Sequence, residues 1–378
     1  MSQRIHLSKA TVTAREEQLV LEALRSGWIA PLGPMVDLFE AQIADRLGLA
    51  GALALSSGTA ALHLALLNHN VAPGTYVVVP TMTFAATTNA IRYTGAEPVF
   101  VDAQEADANV NVQLFLEAVH ALLAEGKTVS AVVTVDLYGR SVDYSSLLPS
   151  LSELEIPLIE DAAEALGASH SGAACGSFGS AAAISFNGNK IMTTSGGGML
   201  VSNDVELLDR ARYLSTQARQ SAPWYEHTEV GYNYRMSNLL AALGVGQLER
   251  LDDMIARRRE IRDLYADGFA DLDNVRLLGR GENDMDSADN CWLTGAIVED
   301  IEPGGIDRLV RAFSEENIEA RHLWKPMHTQ PMYAEARTFG GEVSVRLFNS
   351  GINLPSGVDL SDDDIQRVID VFRREVVS

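Results

Sequence analysis

A chain of 378 residues, 47% hydrophobic and 21% charged, is long enough for two soluble domains or one large α/β domain with an appendage. Its formal net charge of −22 creates a long-range field that repels nucleic acid and anionic membrane, while leaving room for a small anion held by local amides. Only Cys175 and Cys291 are present, without metal-ligand spacing, and neither a signal-peptide core nor a stretch of membrane-spanning length occurs; a metal-free cytoplasmic protein without a disulfide framework is expected.

In chain order, residues 13–26 carry helical periodicity and lead into a Gly/Pro-rich segment at 27–34. Val36-Asp37-Leu38-Phe39-Glu40 opens a second amphipathic helix. Ser56 or Ser57 is placed to cap a third helix that runs through Leu66, with Gly58 permitting the turn into it. Short apolar strands then alternate with helical stretches, at 76–80, 97–102, 130–135, 156–160, 181–186 and 197–202. This predicts βαβ units and an α/β fold, with helices on both faces of a mainly parallel sheet. From about residue 236 the pattern changes. One long helical stretch through Leu248 and Arg259 precedes strands near 291–298 and 351–354 and helices near 304–315 and 361–375. The change divides the chain into a large domain, 1–245, and a smaller C-terminal α+β domain, 246–378.

Lys190 is the candidate for chemistry. Ser185 stands five residues before it and Gly196-Gly197-Gly198 begins six residues after it, so small residues leave room beside the ammonium group. Upstream, Ile156-Pro157-Leu158-Ile159-Glu160-Asp161 reads as a buried strand delivering a carboxylate at its C-terminal end. A lysine able to form a Schiff base and an acid able to pair with a pyridinium nitrogen are the protein groups pyridoxal phosphate chemistry needs most. Asp161, ahead of Ala162-Ala163-Glu164, could equally cap a helix.

Seven segments, taken together and in order, resemble the DegT/DnrJ/EryC1/StrS family of sugar-nucleotide aminotransferases. They are Gly27–Pro34, Ser57–Leu62, Pro80–Phe84, Asp161–Glu164, the Lys190 segment, Gly231–Ser237 and Pro326–His328. The resemblance covers nearly the whole chain and implies the aspartate-aminotransferase (type I) fold, pyridoxal 5′-phosphate as cofactor, and a homodimer with shared active sites.

Residue by residue, the resemblance implies that Lys190 binds the cofactor and then moves a proton between substrate and cofactor, which requires a neutral amine. Asp161 would keep the cofactor's ring nitrogen protonated. Ser57, Gly58, Thr59 and Ser185 would hold the phosphate at a helix start, and Phe84 would stack on the ring. Glu164 stands where many members carry Gln or His against the phenolate oxygen; a carboxylate there would repel unless protonated or turned aside. Asn233 matches an asparagine that reaches the neighbouring subunit's phosphate. Trp28, Ile29 and Pro31 match a substrate-covering loop, and His328 a histidine on the substrate side.

The phrases Asn187-Gly188-Asn189-Lys190, Thr194-Ser195-Gly196-Gly197-Gly198 and Trp224-Tyr225-Glu226-His227 look most like the bacillosamine-pathway 4-aminotransferases. The expected reaction moves an amino group from L-glutamate to the C4 keto group of UDP-2-acetamido-4-keto-2,6-dideoxyglucose. Another dTDP- or GDP-linked keto sugar is the alternative, and a non-enzymatic regulator of the same family the remote one. A family dehydratase has histidine at the lysine position, which Lys190 argues against.

Overall fold

The computed structural model describes residues 3–279 and 288–377. The first helix, Ala14–Ser26, starts at a reciprocal cap: the Thr13 side chain accepts from the first turn while Glu16 reaches back to the Thr13 amide. Gly27, in the left-handed region at φ 79°, ends it. The next helix, Pro34–Leu47, begins with proline where no amide partner is needed.

An eight-stranded sheet organises most of the chain. Its order is Gly51–Leu55, Gly198–Ser202, Ala181–Ser185, Leu158–Asp161, Val129–Val135, Tyr76–Pro80, Glu97–Val101, Thr338–Phe339. All neighbours pair in parallel except at Gly198–Ser202, which runs antiparallel to both strands beside it. The central strands are buried along their length, as expected of a sheet covered on both faces. The edge strand Thr338–Phe339 comes from the far end of the sequence: Arg337 carbonyl accepts from the Phe100 amide and Phe339 carbonyl from the Asp102 amide, both at 2.9 Å.

A second, four-stranded antiparallel sheet has the order Val275–Leu277, Thr294–Val298, Gly351–Leu354, Arg321–His322. Helices Leu251–Gly268, Gly305–Glu315 and Asp362–Val377 pack around it on a core that includes Tyr265, Phe269, Phe313 and Phe372. The helical stretch expected after residue 236 is two helices, Asn238–Leu248 and Leu251–Gly268. Among the described residues, no helix is long and apolar enough to cross a membrane.

Candidate active site

Val135, Asp161 and Ser185 end three adjacent strands, and all three line one pocket, in the crevice outside the carboxyl ends where open α/β sheets take ligands. Ser57, Gly58, Thr59, Phe84, Glu164 and Lys190 complete its walls. The pocket, with its mouth, encloses about 740 Å³.

Lys190 Nζ stands 3.4 Å from Glu164 Oε1 and 4.0 Å from the centroid of the Trp292 ring. Both partners of that ion pair are nearly buried, with side chains 11% and 4% exposed. Glu164 is fixed from the other side by the Tyr138 amide, which donates to Oε2 at 2.7 Å. Tyr138 holds a left-handed backbone at φ 55°, and its hydroxyl accepts from the Trp324 amide at 2.7 Å. The carboxylate is therefore pinned between an amide and the lysine.

Asp161 accepts from the Thr87 hydroxyl at 2.7 Å and from the Ala163 amide at 3.2 Å. Turns follow it, so no helix is there to be capped. Burial pushes its carboxyl up to about 6, against the opposing pull of the Thr87 hydroxyl and the Lys190 charge. It remains mostly ionised at neutral pH and more so with a positive partner.

Helix Gly58–Asn68 points its N-terminus at the pocket. Ser57 caps it, its hydroxyl accepting from the Ala60 amide at 3.0 Å. The Gly58 and Thr59 amides belong to the first turn, where no intrahelical acceptor exists, so they face a prospective anion. Gly198 makes this approach possible: a Cβ there would run into the Ser57 carbonyl and the Gly58 amide nitrogen. Phe84 is 54% exposed at the mouth, its ring 5.4 Å from that of Trp324. A buried acid, a lysine, free helix-start amides and an open aromatic face together fit pyridoxal phosphate.

Five expected residues lie off the pocket in the single chain. Asn233 is exposed and bridges Thr216. His328 shares a 2.7 Å hydrogen bond with Thr81 and lines a separate open hollow beside Gly341. Trp28 and Ile29 are about half exposed. Pro31, also exposed, follows them in a loop that Asn238 clasps, donating to the Trp28 carbonyl and accepting from the Met35 and Val36 amides.

Thr87, Tyr138, Trp292 and Asn238 were not singled out from sequence. Thr87 alone carried a signal, since it stands three residues after Phe84, in the first turn of helix Ala85–Tyr93. Behind the site, the carboxyls of Asp136 and Glu160 and the Cys175 thiol cluster within 4.8 Å, all buried. Glu160 accepts from the Gly176 and Phe178 amides, and burial with the neighbouring Glu160 charge pushes Asp136 well up.

Residues 10–373 match the DegT/DnrJ/EryC1/StrS aminotransferase family. The chain is 43% identical to a Bacillus subtilis protein named "Putative pyridoxal phosphate-dependent aminotransferase EpsN", over 98% of this chain and 96% of that one. It is 36% identical to the GDP-perosamine synthase of Escherichia coli O157:H7, over 96% and 95%. The PLP-form structure of a Streptococcus pneumoniae protein named "Putative sugar aminotransferase Spr1654" superposes with a TM-score of 0.89 at 25% identity, covering 99% of each chain.

Proposed function

The chain belongs to the DegT/DnrJ/EryC1/StrS aminotransferase family, and from that premise we propose its substrates and the work of each residue. It is a pyridoxal phosphate-dependent sugar aminotransferase with the type I fold. The acceptor we propose is UDP-2-acetamido-4-keto-2,6-dideoxyglucose, with L-glutamate as donor and the cytoplasm, where Cys175 and Cys291 stay free, as the place of work. The placement of Lys190 and Asp161 in one pocket carries the aminotransferase reading. The phrases around Lys190 and Trp224 favour the acetamido sugar. A GDP-linked 4-keto-6-deoxy sugar is the second reading, favoured by the likeness to GDP-perosamine synthase.

When bound, the cofactor supplies an aldehyde for amines and a ring that stores electrons. The chain does the rest. Lys190 offers Nζ as the attachment point and, once displaced, as the base that carries a proton. Glu164 balances the ammonium form at 3.4 Å, so the lysine is not left as an unpaired buried charge. Asp161 holds a proton on a ring nitrogen by its charge, steadied by Thr87. The Gly58 and Thr59 amides would hold the phosphate, and Phe84 would lie against the ring.

With glutamate as donor, the UDP-linked acetamido keto sugar should give a higher kcat/KM than dTDP- or GDP-linked 4-keto-6-deoxy sugars. A site that hydrogen-bonds a polar substituent discriminates against ligands lacking it. A rate equal or higher with either of the latter sinks the acetamido reading and leaves the aminotransferase intact.

The working unit we propose is a two-fold dimer in which Asn233 of one subunit completes the phosphate site of the other. Asn233, exposed and absent from the lining of the pocket in its own chain, supports this reading. Hybrids of Lys190→Ala with an impaired Asn233→Leu should regain about half the wild-type activity, since both lesions fall in one site. No recovery in purified hybrids refutes the sharing.

A further inference from the structure

A second cavity adjoins the first. Its wall includes His6, Lys9, Asn189, Trp292, Trp324 and Asn353. The turn Asn187–Lys190, closed by a 3.0 Å bond from the Lys190 amide to the Asn187 carbonyl, separates the two: Asn187 and Lys190 face the cofactor pocket, Gly188 and Asn189 the second cavity. Trp292 supports Lys190 Nζ from below, and Trp324 meets Phe84 at the mouth. A substrate reacting at Lys190 thus finds this cavity one turn of chain away.

Its electrostatics are unusual for so acidic a protein. Lysine occurs only at Lys9, Lys127, Lys190 and Lys325. Lys190 stands at the reaction centre and Lys9 lines this cavity, while exposed Lys325 directly follows Trp324. Glu319, the cavity's carboxylate, is already engaged: Arg321 donates to it at 2.8 Å, the Leu7 amide at 3.2 Å, and His6 stands 3.7 Å away. His322 pairs with Asp307. Lys9 has no carboxylate within ion-pair distance among the described residues, so its charge is uncompensated. One lining residue also carries a buried donor without a partner, Trp324 Nε1. A donor is costly to leave unpaired, which points to a ligand with an acceptor oxygen.

We propose that this cavity is an oxyanion subsite of the aminotransferase, in which Lys9 holds a carboxylate of the amino donor or a phosphate of the nucleotide while the reacting carbon lies at Lys190. The inference rests on the aminotransferase reading but not on any particular sugar. Both sources share the chemistry of an anion tethered to a group at Lys190, and two measurements separate them.

In the half-reaction with L-glutamate alone, the change in cofactor absorbance gives the glutamate affinity without any sugar. In the full reaction with saturating glutamate, the sugar-nucleotide KM gives the other. Loss of one charge-assisted contact should raise one constant about tenfold in Lys9→Met, and more in Lys9→Glu, while Lys9→Arg stays near wild type. The limiting rate and the resting absorption spectrum should hold, because Lys9 touches neither Lys190 nor the cofactor pocket. A raised glutamate constant assigns the subsite to the donor, and a raised sugar-nucleotide KM to the phosphate. If both constants of Lys9→Met and Lys9→Glu stay within about twofold of wild type, the subsite is refuted. Absence of any half-reaction in the wild type would instead defeat the aminotransferase reading itself.

Discussion

Lys190→Ala is expected to lower turnover by about 10⁴-fold or more, because one residue supplies both the attachment point and the proton-transferring base. The visible absorption of the lysine-bound cofactor should vanish with it. The fold should survive. Lys190 sits in a pocket wall rather than in the packed core, and its loss removes one ion pair and one ring contact. Glu164 keeps the Tyr138 amide as a partner in the variant. The measurement is steady-state turnover beside a near-ultraviolet circular dichroism spectrum. A folded variant that still turns over at more than about one-hundredth of the wild-type rate would remove Lys190 from its role.

Asp161→Asn should lower kcat by roughly 10²–10⁴-fold while keeping the Thr87 contact, since an amide can accept that hydroxyl but carries no charge to hold a proton on a ring nitrogen. Stability gives a second, independent readout. Burial raises the folded carboxyl to about 6 from its ordinary value near 3.8. Between those values the folded state binds more protons than the unfolded one. Its contribution is therefore fully present below about pH 4 and is lost as pH rises through about 6, a swing on the order of 2–3 kcal/mol. Denaturant unfolding of the cofactor-free protein at pH 4.5 and 7 should show this slope in the wild type, on top of the other groups, and less of it in Asp161→Asn. Equal slopes in the two proteins would argue that the carboxyl is not held up by burial.

Much of the sheet and the pocket was legible in the chain. Strands such as 76–80 and 181–186 announce themselves as apolar runs between helical stretches, and Asp161 and Ser185 stand at their ends by simple count. Other features depend on packing that no local pattern carries. The break between the helices ending at Leu248 and starting at Leu251 has neither glycine nor proline. Arg250 is drawn out of line by Glu16 and by the Thr11 carbonyl, both from the N-terminal segment. Trp292 and Tyr138 reach Lys190 and Glu164 from segments about a hundred and about fifty residues from the lysine, so only the folded chain shows them as part of the site. The strand Thr338–Phe339 is two residues long, too short for periodicity to mark.

That short strand also sets an order of events during synthesis. The edge of Glu97–Val101 leaves the ribosome long before the residues that cover it, and Asp102 must wait as well for the amides of Gly341, Val343 and Ser344. A nascent chain ending before residue 337 holds an open strand edge of the kind that recruits other chains. Its large sheet closes only when the chain has emerged past Phe339. The C-terminal segment thus acts as a seal on the first-made part of the molecule.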